Sequence, residues 1–220
     1  ETVKSHGQNL IKGLNNLLND VTDEGQLRIR MTDTSAFEMG KNVATTPGKV
    51  IFQNELFQLI QYDPATPDQY KRPFLIVPPW INKYYILDLR EKNSMVKWAT
   101  DQGYTTFIIS WINPDEKLAA KSFEDYLLQG SMEAVTQVCA QTGEDSVNMA
   151  GYCLGGTLVM TTLAYMAAKK DKRGNSGTFF TTMLDFSEPG ELRVFLGEDT
   201  VAGLEKKMFE RGYHDGGMMA

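Results

Sequence analysis

Residues 147–163 read VNMAGYCLGGTLVMTTL: an apolar run, a cysteine flanked by Gly151 and Gly155, and a second apolar run. That order predicts a strand, a sharp turn and a helix. A residue at the tip of such a turn is held at strained φ/ψ, and side chains two positions to either side would collide where strand and helix cross. Glycine is therefore needed at both flanks. The turn lifts the Cys153 sulfur above the C-terminal edge of a sheet, beside a helix N-terminus whose dipole and free N–H groups favour an anion. A plainer reading is a structural thiol, since free cysteine is among the most buried residue types. The strand before Cys153 and the helix after it favour the turn.

The rest of the chain supplies the sheet that such a turn requires. Leu10, Ile11, Leu14, Leu17, Leu18 and Val21 predict an amphipathic helix packing on the domain. KVIFQNELFQLIQY at 49–62 reads as a hairpin around Gln53-Asn54, and RPFLIVPP at 72–79 as a buried parallel strand stopped by two prolines. Residues 94–102 read as a helix and YTTFIISW at 104–111 as a second buried strand. Ser122 and Asp125 form a capping-box pattern, opening a helix that carries Phe123, Tyr126, Leu127, Met132, Val135 and Val138. SVNMAGY is the next strand, Leu154 to Lys169 the next helix, and GTFFTTMLDF at 177–186 the strand after that. Strands alternating with helices predict an α/β fold with a mostly parallel, doubly wound sheet. Neither an internal repeat nor a low-complexity linker interrupts it.

Composition narrows the partners. With 220 residues and 42% hydrophobic content, the chain can bury one sizeable core. A net charge of −6 without a basic stripe argues against nucleic acid. KKDKR at 169–173 follows a predicted helix and reads as its solvated last turn. No apolar run reaches the roughly 18 residues of a membrane helix, and no secretory leader is read. Two cysteines, Cys139 and Cys153, do not make a disulfide framework, so the expected compartment is a reducing cytoplasm. Cys139 falls on the apolar side of the 122–141 helix and is expected to be inert core. Residue 1 is Glu and the sequence closes on GYHDGGMMA, so continuation beyond both ends is expected.

A nucleophile elbow on a mostly parallel sheet entered through a hairpin is the α/β-hydrolase arrangement. Within it, the chain closely resembles the polyhydroxyalkanoate synthases. AFEMGKNVATTPG at 36–48, FQNELFQLIQY at 52–62, PPWINKYYILDL at 78–89, SWINPD at 110–115, GYCLGGT at 151–157 and LDF at 184–186 carry the resemblance, in order, from about residue 30 to 200. The PPWINKYYILDL form looks like the single-subunit enzymes that prefer short-chain substrates. The resemblance implies an N-terminal helical segment at 1–30, an α/β-hydrolase core at 31–190 missing its C-terminal part, and the start of a cap or lid at 191–220.

It also implies a chemistry that accounts for the thiol. These synthases transfer the acyl group of (R)-3-hydroxyacyl-coenzyme A to a cysteine, release coenzyme A, and lengthen a polyester by attack of another unit's 3-hydroxyl. Substrate and covalent intermediate are then both thioesters, and exchange between them is nearly isoenergetic, whereas a serine ester would lie lower and resist onward transfer. Shielding from water by apolar surface is expected. No cofactor or metal is implied beyond the coenzyme A thioester. The implied partners are the growing polyester, the surface of a cytoplasmic polymer granule and a second copy in a homodimer. Two alternatives stay open: a cysteine hydrolase or thioesterase of the same fold, and a non-catalytic segment serving granule assembly.

For the remaining roles, the fold's order is nucleophile, acid, histidine. After Cys153 the sequence has His214 alone, in the apolar terminal stretch, and His6 lies in the opening helix. Asp185 is expected to end the strand after the elbow helix, as a hydrogen-bonded turn residue. The acid and histidine implied by the resemblance are therefore expected beyond residue 220. Oxyanion donors are expected inside the chain: the Leu154 N–H after the nucleophile, and the Ile81 N–H of the PPWIN loop, with Trp80 the adjacent alternative. Pro78 and Pro79 offer no N–H but stiffen the loop. Tyr84, Tyr85 and Ile86 could line the acyl channel or pack the next helix, packing being the expectation, and Asn113, Pro114 and Asp115 are expected to form a turn. Met208, Met218 and Met219 among glycines would suit an adaptable apolar cap or a piece of core.

Overall fold

The computed structural model describes residues 1–21 and 31–213. The chain divides into two compact units, Glu1–Asn42 and Val43–Ala220. The first contains α1 (Gln8–Asp20), entered through Gly7 at φ 83°, and a 3-10 turn at Thr34–Ala36 capped by Asp33. The predicted apolar stripe is on α1, and Leu10, Ile11, Leu14, Leu17 and Leu18 are all exposed.

The second unit is built on a six-stranded sheet. Its strands are β1 (Gly48–Gln53), β2 (Phe57–Tyr62), β3 (Tyr70–Val77), β6 (Tyr104–Trp111), β7 (Val147–Tyr152) and β8 (Gly174–Phe180), and a short ribbon joins β4 (Asp88–Arg90) to β5 (Asn93–Ser94). The order across the sheet is β1-β2-β6-β3-β7-β8. The hairpin β1-β2 and the pair β2-β6 are antiparallel, and every later pair is parallel. Helices α2 (Met95–Asp101), α3 (Phe123–Asp125), α4 (Glu133–Thr142), α5 (Leu154–Ala168) and α6 (Glu198–Arg211) complete the chain. Strand order and the turn at Cys153 mark the α/β-hydrolase fold.

The core follows from period-two alternation in strands buried on both faces. Leu75, Val77, Phe107, Ile109 and Met149 point to one side, against Ala134, Val135 and Val138 of α4 and Leu158, Val159 and Met166 of α5. Ile76 and Ile108 point to the other, against Tyr62, Val96 of α2, and the half-buried Tyr84 and Leu87. In the 3-10 segment Tyr84–Leu87, Tyr84 and Leu87 pack against the cluster that includes Val96 of α2.

Two departures from the sequence reading matter. Helix 123–142 opens with the predicted capping box, Ser122 and Asp125 bonding reciprocally, but Tyr126–Met132 winds as a π-helix. The last strand runs 174–180 rather than 177–186. Its neighbour β7 ends at Tyr152, paired with Phe180, and Thr181 then takes φ 47°, so the apolar residues that follow have no ladder to join. No helix among the described residues is long and apolar enough to cross a membrane.

Candidate active site

β7 stops at Tyr152 and α5 starts at Leu154, with Cys153 between them at φ 54°, ψ −123°. A non-glycine residue in that region costs on the order of 1–3 kcal/mol and persists only where its surroundings over-determine it. Here they do. The Cys153 N–H donates to the Phe180 carbonyl at 3.0 Å, and the Cys153 carbonyl accepts from Gly156 at 2.9 Å and Thr157 at 3.3 Å. The side chain is left exposed.

The glycines are required by close approach. A Cβ on Gly151 would lie 2.6 Å from the Gly156 nitrogen, where strand and helix cross. On Gly155 it would run into the Val77 carbonyl oxygen and lie 2.7 Å from the Pro78 carbonyl carbon. Gly156 belongs to the same set, because a Cβ there would meet the Thr182 side chain. The sequence reading took Gly155 as a flank of the turn; its neighbour in space is the end of β3, which brings the PPWIN loop against the N-terminus of α5.

That loop contains Ile81, the residue expected to supply the second anion donor. Leu154, as the first residue of α5, has an N–H without an intrahelical acceptor. Ile81 is exposed and Trp80 half-buried. The Trp80 ring lies 5.2 Å from Tyr126, 6.1 Å from Phe123 and 6.4 Å from Trp111, so an aromatic wall borders the loop. Trp111 Nε1 donates to the Pro78 carbonyl at 2.7 Å. The π-helical stretch lies over this wall: a Cβ on Gly130 would be 2.8 Å from the Trp111 ring, and the buried Thr162 hydroxyl of α5 is hydrogen-bonded to the Ser131 hydroxyl at 2.9 Å. π-bulges recur at functional sites. A glycine in mid-helix was the signal for it in the sequence.

The remaining candidates fall outside the elbow's hydrogen bonding. Asp185 lies beyond β8 rather than at its end, is exposed, and accepts from the Ser187 N–H at 2.9 Å, which holds its carboxyl below the usual range. It is the hydrogen-bonded turn residue expected, in a different place. Thr157 donates to the Met183 carbonyl at 2.8 Å and ties this turn to α5. Asn113 accepts from Lys83 at 2.6 Å, and Asp115 caps the 3-10 turn Glu116–Leu118, so residues 113–115 form a turn. Cys139 is half-buried against the core, and burial pushes its thiol pKa up. In KKDKR, Arg173 forms a bidentate pair with Asp171 and also reaches Thr136. His6 sits at φ 49° ahead of α1, whereas His214, Met218 and Met219 lie outside the described residues. Among the described residues, Cys153 is a free, exposed thiol, and no group of three or more His, Cys, Asp or Glu could hold a metal ion. The arrangement thus presents an exposed thiol at the N-terminus of α5 and, beside the PPWIN loop, an aromatic wall.

Residues 1–99 match a family model described as Poly-beta-hydroxybutyrate polymerase (PhaC) N-terminus. The chain is 50% identical over its whole length to the Poly(3-hydroxyalkanoate) polymerase of Methylorubrum extorquens, covering 36% of that protein. It is also 50% identical over its whole length to the polymerase subunit PhaC of Rhizobium meliloti, again covering 36%. It is 44% identical over 90% of its length to PhaC of Cupriavidus necator, covering 33%. The chain therefore spans about a third of the length of these relatives. Among solved structures it is similar to an alpha/beta hydrolase enzyme from a lagoon-sediment metagenome, at 10% identity and a TM-score of 0.42, covering 74% of this chain and 65% of that one.

Proposed function

Because the chain belongs to the poly(3-hydroxyalkanoate) polymerase family, we propose that it supplies the nucleophile half of an acyltransferase that polymerises (R)-3-hydroxyacyl-coenzyme A. Cys153 attacks the thioester carbonyl, the Leu154 and Ile81 N–H groups hold the oxyanion, and coenzyme A leaves as its thiol. A second unit's 3-hydroxyl then attacks the Cys153 thioester and extends the chain. The observation that carries this reading is the geometry at Cys153: an exposed thiol at φ 54° capping a 15-residue helix. Trp80 is the alternative second donor.

The rest of the reading belongs to the complete gene product. The base and its acid partner are proposed to lie beyond residue 220, in keeping with the greater length of the relatives. The segment limits 1–30, 31–190 and 191–220, a short-chain substrate, a homodimer, and residence at cytoplasmic polymer granules belong to the same proposal. The test is coenzyme A release from 3-hydroxybutyryl-coenzyme A, followed with a thiol-reactive dye. Cys153→Ala should abolish release and Cys139→Ala should retain most of it. Substantial turnover by Cys153→Ala overturns the nucleophile assignment. Free 3-hydroxyacid in place of polymer points instead to a thioesterase.

A further inference from the structure

The loop that borders the elbow has few ways to be held in place. Pro78 and Pro79 lack N–H groups, so β3 cannot pass a ladder hydrogen bond onward through them. Among the described residues, the recorded backbone bond inside 78–82 is a long one, from the Asn82 N–H to the Pro79 carbonyl at 3.4 Å. The Pro78 carbonyl, by contrast, accepts a buried 2.7 Å bond from Trp111 Nε1. Trp111 is the last residue of β6, pairs with Phe57 across the sheet and is only 8% exposed. Its ring is fixed on several sides: Phe57 lies 5.9 Å away edge-on, Tyr126 5.3 Å away, and Gly130 leaves the gap that the ring fills. The indole is therefore rigid, and its one polar atom is spent on the loop.

We infer that Trp111 is a positioning residue for the acylation step, acting through the Pro78 carbonyl to set the height of the Trp80 and Ile81 N–H groups relative to Cys153. The inference rests on the proposed role of that loop as the second oxyanion donor. Oxyanion donors must sit about 2.7–3.1 Å from the developing oxyanion, and a misplacement of about 1 Å costs on the order of a hundredfold in rate. Gly155 fixes Pro78 from the α5 side by contact alone; the indole N–H fixes it from the sheet side by a directed bond.

The test uses the complete gene product with Trp111→Phe, and separately with Trp111 replaced by benzothienylalanine, which keeps the shape of indole with sulfur in place of N–H. Two rates are read on each: coenzyme A release from 3-hydroxybutyryl-coenzyme A, and alkylation of Cys153 by iodoacetamide, which develops no oxyanion. The expected result is a kcat lower by about tenfold to a hundredfold with KM and alkylation rate within about twofold of the parent. Unchanged kcat in the benzothienylalanine protein overturns the inference. So does a parallel fall in alkylation, or insoluble protein from both replacements, since either marks a merely structural role. Coenzyme A release by Cys153→Ala in the same series is a separate result, and overturns the nucleophile reading underneath.

Discussion

The Cys153 N–H donates to the Phe180 carbonyl oxygen at 3.0 Å, continuing the ladder one step past the last β7–β8 pair, Tyr152 with Phe180. The same bond ends the strand pairing and begins the turn that exposes the thiol. Strain at Cys153 is thus held from one side by β8 and from the other by the first turn of α5, through Gly156 and Thr157.

The contact of Gly155 with the end of β3 makes a sharp prediction. Gly155→Ala places a methyl against the Val77 carbonyl and 2.7 Å from the Pro78 carbonyl carbon, both backbone atoms that cannot rotate away. The expected cost is about 3 kcal/mol of stability by overpacking, with loss of coenzyme A release. Denaturant unfolding of the variant at parental stability would contradict the close approach.

Tyr62 offers a test of the opposite sign. Its hydroxyl is buried without a hydrogen-bond partner among the described residues, and burial, then the nearby Asp88 carboxylate, then Tyr84 push its pKa far above the ordinary 10.0. Tyr62→Phe should leave stability unchanged or raise it by about 1 kcal/mol, because an unsatisfied buried hydroxyl is removed. The sign with pH follows from linkage. The unfolded chain releases this proton near pH 10 and the folded chain keeps it, so the parent's stability is intact below pH 10 and falls as pH rises above it. Unfolding midpoints measured across that range should fall less steeply in Tyr62→Phe, and identical slopes would contradict the assignment.

Asp88 ties three segments together. It is 1% exposed, and its carboxylate accepts from the Thr46 and Ser94 hydroxyls, each at 2.6 Å, while Ser94 in turn caps α2. Asp88→Ala leaves both hydroxyls without this acceptor and should cost about 2–3 kcal/mol in urea unfolding. A loss below about 0.5 kcal/mol, the range of an ordinary surface change, would show that the network contributes little.

Much of this was legible in the sequence. The hairpin, the strand at 104–111 and the Ser122–Asp125 capping box each announce themselves through alternation or a local hydrogen-bonding pair, and the structure has them in place. What escaped depends on partners distant in the chain. TTMLDF is as apolar as a strand, yet β7 has already turned into the elbow and nothing remains for it to pair with. The π-helical turn answers to the Trp111 ring, from another element, pressing on Gly130. The bond from Trp111 to Pro78 spans 33 positions and leaves no periodic trace.

Replacing sulfur by oxygen at the elbow separates acylation from polymerisation. Cys153→Ser keeps the turn and its donors, so one slow acylation should survive while polymer formation stops, because an oxygen ester lies too low in energy for onward transfer. Normal polymer yield from the serine variant would contradict the thioester argument.

The most direct measurement is peptide mass spectrometry of the complete gene product, quenched in acid after brief exposure to 3-hydroxybutyryl-coenzyme A. The account predicts a hydroxyacyl adduct, labile to hydroxylamine, on the peptide containing Cys153 and none on the peptide containing Cys139. An adduct on Cys139, or turnover with Cys153 never acylated, would contradict it.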